Sequence, residues 1–520
     1  MNRNRERWTN RRLAGSGLAL LLLASCACRV GPTYKRPAAP AAPAFKEQPP
    51  PAFKEAGDWQ VAQPNDSQLK GKWWEIYNDP VLNALEEQVG ISNQNLLQAE
   101  AQYRQARTTV LTARSALFPA VSASSSITES RSGTLGRATT PNGKSELVSG
   151  TSSTEYTLPV TASWEPDLWG SIRRGMTAAA ANAQASAAQL ENLRLLYQSE
   201  LAQDYIQLHG TDSDAALLDT TAKSYQEYVV LTRNRFAGGV ASDLDVAQAE
   251  AQLYATQAEL QDLGVTRNQL EHAIAVLTGK PPAEVAIQAQ VLKNPPPVFP
   301  IAVPSTLLER RPDIANAERT MAAANEQIGI TEAAYYPTLT INPSAGLESL
   351  SIAHWFTFPS RFFAVGPSLA ETLFDAGRRR AAVAGAQAAY DATVAAYRQT
   401  VLTAFQQVED ELSALRVLAE ESVTATDSVN AAQRALDVST AQYKAGTANY
   451  LTVITAQATL LAAQRTNTDL LTRRLVASVV LIQALGGGWD STQLPGKRDL
   501  TAGRESTQPP PPKREVAADR

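Results

Sequence analysis

The sequence has 520 residues and a formal net charge of −4, from 47 Lys and Arg against 51 Asp and Glu. This balance excludes a nucleic-acid-binding protein of the usual kind, which carries a strongly basic face. The only two cysteines, Cys26 and Cys28, lie near the N-terminus and the three histidines are far apart, so the body of the chain can hold neither a disulfide framework nor a cysteine-based metal site.

The N-terminus has the features of a secretory signal peptide. Five arginines precede residue 13, and residues 13–24 are mostly Leu, Ala and Gly, a run too short to span a bilayer. It ends in Leu23-Ala24-Ser25-Cys26, which resembles the cleavage box of bacterial lipoproteins. We therefore predict a signal peptide over residues 1–25 and a covalent lipid on Cys26. A plain secretory signal with a chance cysteine is the alternative. Ala27, in place of Asp, favours sorting to an outer membrane.

Proline placement predicts two long helical arrays. No proline occurs from Asp167 to Lys280 or from Ser368 to Leu494, and prolines cluster between these stretches. Because proline breaks helix interiors, each stretch is expected to be helical. The two stretches also match position by position at a spacing of 207, from Gly170 with Gly377 onward, whereas the segments before them match at 218. The pattern indicates an internal duplication with a longer insert in the first copy.

These boundaries divide the chain into an N-terminal part, two repeats, a linker and a tail. Each repeat is predicted as helix, β-hairpin, long helix, tip turn and return helix. The predicted segments are the signal peptide 1–25, an anchor and extended segment 26–77, the first repeat 78–280 with its hairpin at about 119–166, a Pro-rich linker 281–304, the second repeat 305–488 with its hairpin at about 337–374, and a disordered tail 489–520.

Four segments alternate apolar and polar residues over about ten positions, the length of a transmembrane β-strand. Their apolar positions begin at Val121, Tyr156, Leu339 and Phe363. Aromatic residues flank the segments at both ends: Phe118, Trp164, Trp169, Tyr335, Tyr336 and Phe374 on one side, and Trp355, Phe356 and Phe358 on the other. Belts at the two membrane interfaces and simple hairpin cores explain this pattern equally well.

Geometry limits the membrane interpretation. Four strands cannot close a barrel, since about eight is the practical minimum, and an open sheet edge cannot lie in lipid. Either the hairpins are soluble, or several chains share one barrel.

The ordered set of motifs resembles the outer-membrane efflux lipoproteins of the TolC family, the OprM/NodT-like branch. It comprises Val30-Gly-Pro-Thr-Tyr-Lys-Arg-Pro37, Trp164-Glu-Pro-Asp-Leu-Trp-Gly170, Leu373-Phe-Asp-Ala-Gly-Arg-Arg-Arg380 and two glycine turns. The resemblance implies a mainly α fold with a small β part: a helical coiled-coil tunnel and a transmembrane β-barrel shared between three chains. It also implies a homotrimer in the outer membrane that works with a periplasmic adaptor and an inner-membrane pump, most often of the RND class.

The two glycine turns are the candidate site. Gly239 and Gly446 suit helix ends that need a positive φ. Ser242 and Asp245 are predicted to form a capping box at the start of the next helix, and Asn449 is predicted to cap the matching helix of the second copy. One interpretation is that these residues serve only to form the helix hairpins. By resemblance, the turns form the periplasmic tip that gates the tunnel and contacts the adaptor. The candidate residues are Arg235, Phe236, Gly239, Ser242, Asp243, Asp245, Gln442, Tyr443, Gly446, Asn449 and Tyr450.

Two expectations concern the tip in a trimer. Asp243 and Asp245 would place six carboxylates near one axis and attract cations, and Arg235, Tyr443 and Tyr450 would latch neighbouring helices. The sequence departs from the family pattern at Gln442, where arginine is usual, and at Thr452 and Thr455, where relatives carry acidic residues.

The sequence therefore predicts a passive exit duct for drugs or other small molecules, with no catalysis and no cofactor apart from the lipid on Cys26. The alternatives are a periplasmic helical lipoprotein with a scaffolding or adhesive role, and the outer-membrane duct of a type I protein secretion system.

Overall fold

A computed structural model describes most of the chain. The described residues are 29–39, 45–47, 71–131, 133, 136–139, 145–148, 152–297 and 310–502. The predicted signal peptide, the predicted lipid attachment at Cys26, part of the Pro-rich linker and the end of the tail lie outside these residues.

Helices make up most of the described chain. They are α1 Pro80–Ser92, α2 Gln94–Ser115, α3 Ser171–Ala237, α4 Asp243–Leu277, α5 Pro312–Ala333, α6 Arg378–Lys444, α7 Tyr450–Ala484 and the short α8 Lys497–Ala502. The long helices α3 and α6 have 67 residues each and the return helices α4 and α7 have 35 each. The members of each pair begin and end 207 positions apart, so the internal duplication is visible in the element bounds.

The strands form a small β part between the upstream helices and the long ones. They are β1 Ala120–Ala123, β2 Ser126–Arg131, β3 Gly136–Thr139, β4 Ser145–Val148, β5 Ser152–Ser163, β6 Thr338–Ile341, β7 Ser344–Ser349, β8 Arg361–Ala364 and β9 Pro367–Ala370. β5 is central: it pairs antiparallel with β1 and β2 on one side and with β7 on the other, and β7 pairs with β8. β6 pairs with β9, and β3 with β4 in a separate hairpin.

The first part of α3 is packed between α2 and α5, where small side chains let the helix axes approach closely. Ala180 and Ala183 of α3 lie against Val110 of α2, and Ala181 lies against Ala322 of α5. α3 continues through Gly210 without the interruption that a glycine there could cause. A Cβ at Gly210 would lie 2.5 Å from Oγ1 of Thr472 on α7, so the glycine permits a close helix crossing.

The N-terminal segment crosses both repeats in extended form. The N–H of Val30 donates to the carbonyl of Trp169 at 3.1 Å, and the buried Arg174 guanidinium donates to the carbonyl of Val30 and, at 2.7 Å, to Glu326 of α5. Further along, the backbone N–H of Lys46 donates to a carboxylate of α6. The segment thus connects α3, α5 and α6.

The expectation of a disordered tail from residue 489 is wrong for residues 489–502. Trp489 and Leu500 are buried, Leu500 against Val110 of α2 and the alanines of α3. The side-chain amide of Gln184 donates to the carbonyl of Pro495 at 2.8 Å. Burial of these two large apolar side chains holds the segment against the helices; residues 503–520 lie outside the described chain.

Candidate functional site: the helical tip and the strand wall

Both long helices end in a glycine turn of the same geometry. Gly239 has φ 71° and Gly446 has φ 77°, a left-handed conformation that glycine adopts without a Cβ clash. In the first turn the N–H of Val240 donates to the carbonyl of Arg235 at 2.8 Å, and the second turn has the equivalent bond at 3.0 Å. Each turn therefore reverses the chain within a few residues.

The return helices begin with the predicted caps. The Ser242 Oγ accepts the N–H of Asp245 at 3.3 Å, and the Asp245 carboxylate accepts the N–H of Ser242 at 3.1 Å, so the capping box is complete. Asn449 accepts the N–H of Thr452 at 3.2 Å. Asp245 is consequently committed to the cap, whereas Asp243 is exposed.

A cluster of tyrosines fills the space between the four helices just above the turns. Tyr443 and Tyr450 are buried with ring centroids 5.2 Å apart, and Tyr225 and Val229 of α3 complete the apolar contact. Burial raises the pKa of both Tyr443 and Tyr450, and for Tyr450 the neighbouring phenols add to the effect. Both phenols therefore stay neutral, and the cluster is an apolar contact between the two helical hairpins.

Arg235 joins the two repeats at the tip. Its guanidinium lies 4.6 Å from the ring centroid of Tyr443, and Nη1 donates to the carbonyl of Lys444 at 3.3 Å. A guanidinium over an aromatic face at this distance is attracted by the ring quadrupole, and near the end of α6 it also meets the negative end of the helix dipole. The contact holds the end of α3 against the end of α6.

The structure thus brings together Arg235, Tyr443 and Tyr450 of the predicted site. Asp243 and Gln442 are exposed. Four large apolar side chains of the tip are exposed as well: Phe236, Val240, Leu244 and Leu451.

Two contacts at the tip were not predicted from the sequence. Arg233 forms an ion pair with Glu250 of the return helix at 2.6 Å, and the Tyr228 hydroxyl lies 2.9 Å from the Thr440 hydroxyl of α6. The first pair could have been predicted, because Arg233 and Glu250 carry opposite charges on the two sides of the turn. Nothing in the local sequence announces the second pair, because its partners lie in different repeats.

The strands form a sheet with two different faces. Residues that are paired in register share a face of the sheet. Val160 pairs with Ala345, which pairs with Phe363, and Leu158 pairs with Leu347, so the alternating apolar residues lie on the same side. The opposite side carries hydroxyls and carboxylates: Ser122, Ser126, Thr128, Glu155, Thr157, Thr161, Thr340, Ser344, Glu348 and Ser368. The sheet therefore has one mainly apolar face, which also carries Glu129 and Arg131, and one mainly polar face, which also carries Pro159 and Phe362.

Aromatic side chains gather at both ends of this sheet. At the helical end Trp169 stacks on Tyr336 with centroids 4.7 Å apart. At the other end Trp355 lies 5.6 Å from Tyr156 and 4.8 Å from Phe356. The aromatic residues therefore form one group at each end of the sheet.

Among the described residues, every helix is either too short or too polar to span a bilayer. No group of three or more His, Cys, Asp or Glu side chains in the described ranges is arranged to hold a metal ion.

A family model described as outer membrane efflux protein matches residues 86–280 and 303–487 of this chain. The pyoverdine export outer membrane protein OpmQ of Pseudomonas aeruginosa is 31% identical over 433 residues, 81% of this chain and 88% of that protein. The outer membrane protein OprJ of the same species is 30% identical over 479 residues, 92% of this chain and 96% of that protein. The solved outer-membrane channel OprN superimposes with a TM-score of 0.78 at 29% identity, covering 89% of this chain and all of that one.

Proposed function

The chain belongs to the outer membrane efflux protein family, and from this premise we propose that it is the exit channel of a tripartite efflux system. It is an outer-membrane efflux channel and not an enzyme, as its relatives OpmQ, OprJ and OprN are outer-membrane proteins or channels. Transport through it is passive, and the energy comes from an inner-membrane pump. The single observation that carries the proposal is the sheet with one apolar and one polar face, next to long paired helices.

The channel is a homotrimer in this proposal. In the described strands, β1 and β2 pair only with β5 along the chain's own sheet, and β8 and β9 pair only with β7 and β6. The two outer segments are therefore available to strands of neighbouring copies. Three copies supply enough strands for a closed wall, with the apolar face toward lipid and the polar face toward the duct.

A lipid on Cys26 fits this arrangement. Val30 is bound to Trp169, near the aromatic group at the helical end of the sheet. Four residues of extended chain reach about 13 Å, so an acyl group on Cys26 can enter the inner leaflet next to the sheet.

The tip is the proposed gate and the contact surface for a periplasmic adaptor. The Arg235 contact and the tyrosine cluster keep the two helical hairpins together, and a gate that opens has to change contacts between such hairpins. The exposed apolar residues Phe236, Val240 and Leu244 suit a docking partner, because exposed apolar groups of this kind mark interaction sites. The pump partner is proposed to be of the RND class.

The test uses the full-length protein extracted from membranes. We expect a trimer that survives mild detergent and dissociates on heating, and ion conductance when it is added to planar bilayers. A water-soluble monomer without conductance would contradict the channel and favour the scaffolding lipoprotein. Co-purification with a protein-secretion ATPase, in place of an efflux pump and its adaptor, would favour the secretion duct.

A further inference from the structure

The connection between β7 and β8 is a well-defined loop at the end of the sheet that lies far from the helices. The hydroxyls of Thr357 and Ser360 both donate to the carbonyl of His354 at 2.6 Å. Trp355 packs on Tyr156 of β5. The loop is therefore fixed to the sheet by side-chain contacts.

This loop exposes large apolar side chains. Leu350 is 72% exposed, Ile352 64%, Phe356 70% and Phe358 75%. Four such residues within nine positions form a patch of the kind that soluble surfaces avoid, and patches of this kind mark contacts with protein or membrane.

Arg361 lies at the edge of this patch, on the apolar face of the sheet. It pairs with Leu347, which pairs with Leu158. Its guanidinium lies 4.4 Å from the ring centroid of Phe358, and among the described residues no carboxylate forms an ion pair with it. The nearest strand carboxylate in register, Glu348, belongs to the opposite face because it pairs with Thr157.

The position of Arg361 corresponds to a membrane interface. From Arg361 to Leu369, eight residues along the strand direction span about 26 Å at about 3.3 Å each. The apolar band of a membrane sheet is about 25 Å tall, with aromatic residues at its borders. Arg361 therefore lies where the apolar band ends and headgroups begin, at the border away from the helices.

We propose that Arg361, with Phe356 and Phe358, binds the phosphorylated headgroup of an anionic lipid of the outer leaflet. A guanidinium donates two parallel hydrogen bonds to phosphate oxygens, and the stack on Phe358 orients it without using its N–H groups. The exposed Phe356 and Phe358 rings lie at the level of the headgroups, where aromatic side chains of membrane proteins collect. The inference rests on the proposed function, since it requires the sheet to cross the membrane.

The experiment uses the full-length channel in detergent and a lipid A that carries both phosphates. Bound lipid is counted by native mass spectrometry over a lipid titration. We expect Arg361→Ala to weaken binding about tenfold, the effect of losing one charge-assisted bidentate contact, and Arg361→Lys to weaken it less. Arg379→Ala is the control: Arg379 also lies over an aromatic ring, Tyr335, but at the helical end of the sheet, and it is paired with Asp375.

Two further probes identify the source of the phosphate. Lipid A without phosphates is expected to bind weakly to the wild-type protein, and inorganic phosphate is expected not to displace the phosphorylated lipid. Equal binding of both lipids, displacement by inorganic phosphate alone, or equal binding by wild type and Arg361→Ala would each overturn the inference.

Planar-bilayer conductance of the same preparations separates this inference from the proposed function. A conducting wild type and a conducting Arg361→Ala variant that bind lipid equally would refute only the lipid site. A wild type that never conducts would refute the channel itself.

Discussion

Glu86 of α1 is a fully buried carboxyl group in the apolar core around Trp73 and Leu82. Its side chain has no exposed surface, and neither carboxylate oxygen has a hydrogen-bond partner in the described part of the chain. Burial raises the pKa of Glu86 well above its ordinary value. The folded protein therefore holds the proton of this group more tightly than the unfolded chain does.

This difference in pKa predicts how stability changes with pH. Below the ordinary glutamate pKa, Glu86 is protonated in both the folded and the unfolded state, and ionisation costs the folded state nothing. As pH rises from there toward the raised pKa of the folded state, the unfolded chain loses the proton first and the free energy of unfolding falls. Glu86→Gln removes the ionisation and should make the protein more stable than the wild type at pH 8, by about 1–3 kcal/mol, with little difference at pH 5. Thermal unfolding at both pH values measures this.

Glu87→Gln is the control for this prediction. Glu87 is the next residue, but it is exposed and forms an ion pair with Lys72. Surface ion pairs contribute little to stability, so Glu87→Gln should leave the pH dependence unchanged. Parallel pH profiles for the wild type and Glu86→Gln would mean that Glu86 ionises in the folded protein with the pKa it has in the unfolded chain, which would contradict the prediction.

The sequence could not reveal Glu86 or the buried Arg174 and Glu326 pair. Charged residues are ordinarily exposed, and a local pattern does not distinguish these three from other charged residues of their helices. Arg174 and Glu326 are 152 positions apart in the chain, so only the packing of α3 against α5 makes them partners.

At the scale of elements, the ends of the two return helices repeat one close contact. Gly279 after α4 and Gly486 after α7 both have positive φ. A Cβ at Gly279 would lie 2.2 Å from the carbonyl oxygen of Ser92, and one at Gly486 would lie 2.2 Å from that of Arg310. Both junctions therefore need glycine for its conformation and for its small volume.

Alanine at these junctions is expected to be costly. Gly279→Ala should lower the free energy of unfolding by about 3–5 kcal/mol, because the steric overlap adds to the cost of a positive φ. Gly446→Ala is the matched control: its φ is 77°, but no atom lies within 4 Å of an added Cβ, and about 1–2 kcal/mol is expected. Chemical denaturation compares the two, and equal losses would mean that the backbone can move away from the added methyl group.

The elements with a clear period were predictable from sequence. The alternation beginning at Val121 and Phe363 led to strands whose register puts the apolar residues on one face. The contacts that residues 29–39, 45–47 and 489–502 make with distant helices were not predictable, because these segments lack periodicity. The continuation of α3 through Gly210 was also not predictable, because it depends on the packing of Gly210 against Thr472 of α7.

At the scale of the whole molecule, the mainly α, duplicated architecture follows from composition, proline placement and the repeat. The tip was predictable as a pair of turns, because glycine and capping residues act locally. The contact of Arg235 with Tyr443 was not, since it depends on how the two repeats lie side by side.

The assembled channel should be sensitive to charge at the tip. Asp243→Asn combined with Asp245→Asn removes six carboxylates from a trimer and should reduce the preference for cations. The reversal potential of single channels in a salt gradient measures this preference, and it should move toward zero in the variant. Asp245→Asn also removes the ionised acceptor of the capping box, so Asp243→Asn alone is measured in parallel.

Asp262→Asn is the control for tip charge. Asp262 is an exposed residue of the same return helix, nineteen residues further along, or about 28 Å from Asp243. Its removal should leave the reversal potential unchanged. An unaltered reversal potential in the double variant would leave cation attraction at the tip without support.

The equal lengths of the paired helices restrict the insertions and deletions that each helix can accept. Each residue inserted into α3 alone would move its turn about 1.5 Å along the axis and rotate it by about 100°, out of step with the turn of α6. Insertions and deletions in these helices are therefore tolerated only when matched in the other half of the coding sequence. The strand connections are free of that constraint, and there the halves already differ: a β3–β4 hairpin in one copy stands opposite a short loop in the other.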